Sequence, residues 1–226
     1  MSPESFIINI PLFHTLSPED RKRLASSIRR QSIKKGETLF RKGSEGTTLY
    51  VIIQGKIKIA LPSMLGDEVV LALFSDGDFF GEMALLDGMP RSADAIALED
   101  SELYVLNQSD FVAFLNSNAN AIQAILRSLS QRLRKTDDLL QDTCFLNVSG
   151  RFAKKLLELA EENGRKIGDE IEFDIALTQT DLAKMVGASR ESINKELRTL
   201  REKGLVSVQG NTICIHNLTR LKRRIK

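Results

Sequence analysis

The chain has 226 residues, 42% hydrophobic and 27% charged, the balance of an ordinary globular protein of one or two domains. Its longest apolar runs fall far short of the ~20 residues a membrane span needs, and Met1 to Ile10 lacks the basic start and apolar stretch of a secretory signal, so the expectation is a cytoplasmic protein with no membrane partner. The formal net charge of +2 hides an asymmetry: residues 1–146 carry 16 Lys+Arg against 19 Asp+Glu, residues 147–226 carry 16 against 11, and residues 178–226 carry 11 against 4.

Such a basic C-terminal part suits either a polyanion partner or a solvated basic face. Cys144 and Cys214 fit no CxxC spacing, and only His14 and His216 are present, so no metal site is expected. No Ser/His/Asp constellation is visible either, and two dispersed histidines give little acid–base capacity, which argues against an enzyme.

In chain order, Ser17-Pro18-Glu19-Asp20 starts a helix, with a serine N-cap and a proline at the first helical position. From Ser32 to Leu106 short β-rich runs (Leu49–Ile53, Lys56–Ile59, Val69–Leu73) alternate with Gly36, Gly43, Gly46, Gly55, Gly66, Gly77, Gly81 and Gly88, as in an antiparallel barrel or sandwich with glycines at positive-φ turns. At Phe80-Gly81-Glu82-Met83-Ala84 a glycine at a strand exit opens a short helix whose backbone N–H groups attract a phosphate. Arg91 can add a bidentate contact, and Glu82 can accept from sugar hydroxyls. On spacing alone Glu82 and Arg91 read more simply as an ion pair on a hairpin.

Asp110 to Phe145 reads as helix. Ile122, Leu126, Leu129, Leu133, Thr136, Leu140 and Thr143 step by 4, 3, 4, 3, 4, 3, a 3.5-residue repeat that marks a coiled-coil seam and favours a homodimer over a helix lying on its own domain. Asn147 caps the next helix, Val148 to Glu162, which Asn163-Gly164 closes as a left-handed C-cap. Three segments follow: a β domain over 1–110, a dimerisation helix over 111–146 and a second domain over 147–226.

In that second domain Thr178-Gln179-Thr180-Asp181 is a capping box. The helix it starts ends at the Gly187-Ala188-Ser189 turn, and Ser189 caps a second helix that buries Ile193, Leu197 and Leu200. Its other face presents Arg190, Glu191, Asn194, Lys195 and Arg198. Helix, glycine turn and cationic helix make a helix-turn-helix, and Leu205–Val208 with Thr212–Ile215 form a wing. Arg190 suits guanine O6 and N7, Glu191 suits cytosine N4, and Thr178 and Ser189 suit phosphates. The basic tail Thr219 to Lys226 is expected to be disordered, with DNA-backbone contact as the alternative.

Gly81-Glu82-x-Ala84 with Pro90-Arg91-Ser92-Ala93 resembles the phosphate-binding cassette of cyclic-nucleotide-binding domains. With Ala188-Ser189-Arg190-Glu191-Ser192 and the long helix, the whole chain resembles the Crp/Fnr family of bacterial regulators, and within it the cyclic-AMP receptors. The resemblance implies an α+β fold: an N-terminal antiparallel β-roll, a long dimerisation helix and a C-terminal winged helix-turn-helix. It implies cyclic AMP as effector, held by Gly81, Glu82, Met83, Ala84, Arg91 and Ser92, with the adenine against Thr136 and Asp137. It implies, as partners, double-stranded DNA with a pseudopalindromic operator, a second copy of the chain, and RNA polymerase. Asp137 stands where a cyclic-AMP receptor has a serine, and Lys195 where it has a second base-reading arginine; a lysine lacks the planar fork. The cysteine cluster of the oxygen sensors and the haem ligands of the carbon-monoxide sensors have no counterpart.

Overall fold

The computed structural model describes residues 10, 13, 16–64, 67–174 and 177–225; residues 1–9, His14, Gly66 and Lys226 lie outside the described residues. The chain divides into two compact units, residues 1–134 and 135–226, with the boundary inside the longest helix. Among the described residues no helix is long and apolar enough to cross a membrane.

In the first unit, Ser17 accepts the backbone N–H of Asp20 (3.1 Å) and starts α1 (Pro18–Ser27) as expected. Eight strands follow: β1 (Arg29–Ile33), β2 (Thr38–Phe40), β3 (Thr48–Gln54), β4 (Ile57–Pro62), β5 (Glu68–Phe74), β6 (Phe79–Phe80), β7 (Asp94–Ala97) and β8 (Ser101–Asn107). They form two antiparallel sheets ordered β1-β8-β3-β6 and β2-β7-β4-β5. The alternation of side chains along a strand explains how β3 serves both faces. Leu49 and Val51 join one core with Tyr104, Leu106, Phe111 and Phe114, whereas Tyr50 and Ile52 join the other with Ile57, Phe80, Ala95 and Leu103. Between β6 and β7 lies α2 (Glu82–Asp87), entered through Gly81 at φ +86°.

The single helix expected from Asp110 is two: α3 (Gln108–Ser117) and α4 (Ala119–Phe145), parted at an extended Asn118 whose side chain donates to Phe114 O (3.1 Å). One face of α4 packs on its own unit, and another is left exposed. Ala121 and Ile125 are buried in the unit's own core, and Leu129, expected in the seam, is partly buried against it. Ile122, Leu126, Leu133 and Leu140 are 43%, 58%, 63% and 64% exposed.

Two glycine expectations are corrected. Gly46 is not a positive-φ turn; a Cβ there would sit 2.5 Å from Ala84 Cβ and 2.8 Å from Arg91 Nε, so it is small because the chain passes against them. Gly164 is extended (φ −80°, ψ 141°) rather than left-handed. A Cβ at Gly164 would meet Ala160 O at 2.1 Å and Ile171 Cγ2 at 2.4 Å, so close approach, not backbone handedness, requires glycine.

In the second unit α5 (Val148–Asn163) begins where Asn147 accepts the N–H of Gly150 (2.9 Å) and buries Phe152, Leu156 and Leu159. Then come β9 (Arg165–Ile167), β10 (Glu170–Asp174), α6 (Gln179–Met185), α7 (Arg190–Glu202), β11 (Val206–Gln209), β12 (Thr212–Ile215) and α8 (Leu218–Lys222). The wing hairpin β11–β12 is the edge of a four-stranded sheet ordered β11-β12-β10-β9. The basic tail is ordered through Ile225, contrary to expectation: Leu221 is fully buried, and Arg224 donates to Ser149 Oγ (2.8 Å) and Glu196 (3.4 Å).

Candidate functional site

The cassette expected around residues 81–92 is a buried polar cluster. Glu82 is 1% and Arg91 4% exposed. Arg91 donates from Nη1 to Gly81 O (2.8 Å) and from Nη2 to Thr48 O (2.8 Å) and Thr48 Oγ1 (3.1 Å). Its guanidinium lies 4.2 Å over the Phe40 ring, itself packed with Tyr50 and Phe80. Burial pushes the guanidinium below its usual value, partly offset by the neighbouring Tyr50 hydroxyl and Glu82 carboxylate. Gly81 must lack a side chain, because a Cβ would fall 2.6 Å from Arg91 Nη1.

Glu82 and Arg91 do not form the simple ion pair that spacing allowed. Glu82 Oε1 instead accepts from Arg132 Nη1 of α4 (2.5 Å), while Arg132 Nη2 donates to Phe79 O (2.5 Å) and the guanidinium rests 4.5 Å over Phe74. Among the described residues Glu82 Oε2 and Arg91 Nε are buried with no hydrogen-bond partner, an exception of the kind that needs a reason. Ala84 is buried, Met83 is 46% exposed, and Met83 Sδ takes the hydroxyl of exposed Ser92 (3.6 Å). Thr136 and Asp137 fall in the second unit, where both are exposed. Sequence reasoning missed Thr48 and Arg132; neither sits in a motif, and each reaches the cassette across more than thirty residues of chain.

In the second unit the expected reading surface is assembled. Thr178 and Asp181 form the full capping box at the start of α6, Gly187 turns at φ +60°, and Ser189 accepts the N–H of Ser192 (3.1 Å) at the start of α7. Ile193, Leu197 and Leu200 are buried, and Arg190, Glu191, Asn194, Lys195 and Arg198 are exposed. On a 3.6-residue turn the exposed residues make two adjacent rows, 190-194-198 and 191-195, opposite the buried stripe. Unforeseen is Arg151 of α5, which donates to Val186 O (2.8 Å), Gly187 O (3.3 Å) and Leu146 O (3.0 Å) and so holds the turn between the two helices.

A β-roll holding a buried, partly unsatisfied polar cluster, in one chain with a winged helix-turn-helix, has the make-up of a regulator that binds a small ligand and DNA. Residues 30–118 match the cyclic nucleotide-binding domain and residues 150–224 the Crp-like helix-turn-helix domain. The chain is 32% identical over 215 residues to the CRP-like cAMP-activated global transcriptional regulator of Mycobacterium tuberculosis, covering 95% of this chain and 96% of that one. It is 33% identical over 203 residues to the cyclic AMP receptor protein of Thermus thermophilus, covering 90% and 91%. Among solved structures, the c-di-GMP responsive global regulator CLP of Xanthomonas campestris has the same fold at a TM-score of 0.77 and 26% identity, covering 89% of this chain and 100% of that one. The chain belongs to the Crp/Fnr family, and it is a ligand-responsive, DNA-binding transcription regulator.

Proposed function

We propose that the effector is cyclic AMP and that it acts on a homodimer reading a pseudopalindromic operator in the cytoplasm, with RNA polymerase as the further partner. The observation that carries the effector is the pair of orphaned buried atoms, Glu82 Oε2 and Arg91 Nε. A ribose hydroxyl is the donor that Oε2 lacks, and a phosphate oxygen is the acceptor that Nε–H lacks. Both bonds are charge-assisted, and burial of the two groups strengthens them. Gly81, Ala84, Met83 and Ser92 are assigned to the ligand by resemblance, Gly81 being small because Arg91 packs against it. Thr136 and Asp137 are assigned to the adenine by resemblance.

Exposed Ile122, Leu126, Leu133 and Leu140 support the dimer, because an apolar stripe of this spacing is buried by a second helix. Sedimentation of wild type and Leu133→Glu should give a dimer and a weakened dimer. In each protomer Arg190 and Glu191 read base edges at the entry of α7, Asn194 and Lys195 lie a turn further along it, and the backbone N–H groups near Thr178 and Ser189 face phosphate. Moving the regulator from mostly inactive to mostly active needs the ligand to prefer one state by about 10⁴-fold.

Calorimetry with cyclic AMP should show heat with wild type and none with Arg91→Ala; no heat with wild type overturns the assignment. A second reading has its own support. Glu82 Oε1 and both Arg91 Nη atoms already have protein partners, and a relative with this fold is named for cyclic di-GMP. Heat with cyclic di-GMP alone, or DNA affinity indifferent to every nucleotide, would make the chain an other-effector or constitutive regulator. Absence of AMP after incubation with cyclic AMP would separate either regulator from a hydrolase.

A further inference from the structure

The sheet beneath the wing carries a cluster that neither the nucleotide nor DNA reading uses. In the ladder between β10 and β12, Ile171 pairs with Ile215 and Glu172 with Cys214. Side chains alternate along a strand, so Cys214 and His216 point to one face, the face that Glu170 and Glu172 share. Glu170 Oε2 lies 3.3 Å from Cys214 Sγ, Glu170 Oε1 2.8 Å from His216 Nδ1, and Sγ 3.7 Å from Nδ1. All three side chains are partly buried, and their donor atoms fall within 4.8 Å of one another.

We propose that Glu170, Cys214 and His216 form a site for a thiophilic divalent cation, zinc in the first place. Zinc bonds of about 2.0–2.3 Å to nitrogen, oxygen and sulfur set the edge of a coordination tetrahedron at roughly 3.3–3.8 Å. The Cys214–His216 separation of 3.7 Å already has that length, and Glu170, which meets the two with different oxygens, has only to turn its carboxylate to offer one of them to the ion. The donor set, one thiolate, one imidazole and one carboxylate, is zinc's own. Arg165 of β9 faces Glu172 in register, so Glu172 contributes charge and the fourth position goes to water.

A nucleophilic role does not fit. Cys214 donates to Glu170 rather than to His216, and burial and the two carboxylates push its thiol up to about 11, whereas an activated cysteine is pushed down. The same carboxylates that hold the proton on sulfur would hold a cation in its place. The ion enters as the thiol proton leaves to solvent, and it ties β10 to the inner strand of the wing.

Full-length protein stripped with chelator and titrated with cobalt(II) tests this. The expected result is one ion per chain with a thiolate-to-cobalt charge-transfer band, displaced by one equivalent of zinc. The band should persist in Cys144→Ser and vanish in Cys214→Ser, and affinity should fall at least tenfold in Glu170→Gln and His216→Gln, each variant checked as folded by circular dichroism. No thiolate band at saturating cobalt, an unchanged band in Cys214→Ser, or undiminished affinity in both other variants overturns the site.

Discussion

The contact between Arg132 and Glu82 joins α4 to the cassette, and Arg132→Met measures what it carries. Glu82 is 1% exposed, and the Arg132 side chain is 26% exposed. Two charges about 4 Å apart interact by ~4 kcal/mol at an effective dielectric of ~20, and removing one partner of a buried pair costs about 3–5 kcal/mol, because the remaining charge is stranded. Partial exposure of Arg132 pulls its share down, while loss of the bond to Phe79 O adds about 1 kcal/mol. The expected loss is about 3 kcal/mol in urea unfolding, or roughly 10 °C in the melting of the first unit at ~3–4 °C per kcal/mol. Glu82→Gln strands only the guanidinium, which reaches water, and should cost about 1–2 kcal/mol. The double variant should recover about 2 kcal/mol relative to the sum. If the two effects add within ~0.5 kcal/mol, the carboxylate is not held by Arg132 and the account of the pair is wrong.

Gly46→Ala places a methyl 2.5 Å from Ala84 and 2.8 Å from Arg91 Nε; overpacking should cost about 1–3 kcal/mol, and calorimetry should show loss of nucleotide binding. Arg190→Ala should weaken specific DNA binding by about 1–3 kcal/mol and relax selectivity at one base pair, read by fluorescence anisotropy with matched and single-substituted operators. Cys214, raised to about 11 by burial first and by Glu170 and Glu172, should be alkylated ever faster as pH climbs towards that value. The sign is that of a raised acid: the folded state keeps its proton longer than the unfolded chain, so its contribution to stability is complete below the ordinary thiol range and is lost as pH rises through about 11. A labelling rate flat between pH 8 and 11 would contradict that environment.

What the sequence made legible was local or periodic. The capping box Thr178–Asp181 and the caps at Ser17, Asn147 and Ser189 each close over three residues, so they are written in adjacent letters. The step pattern of α4 is visible for the same reason, yet period alone does not say that Leu129 turns inward. Reading Gly164 as a left-handed cap fails because close approach constrains it, to Ala160 O and to Ile171 of β10, and a residue's neighbours in space are not written beside it in sequence. The cassette residues were visible through resemblance, but Arg132 stands 50 residues from Glu82, and Cys214 and Glu170 lie 44 apart. Contacts at such separations are made by folding, and neither spacing matches a local template.

One guanidinium in the second unit spans two things of different purpose. Arg151 holds the carbonyl of Leu146, just past the last turn of α4, and with the same fork the carbonyls of Val186 and Gly187 at the bend between α6 and α7. The residue just past the long helix and the bend between α6 and α7 are therefore tied to one side chain. Loss of that one side chain would release three carbonyls together, one at the helix end and two at the bend.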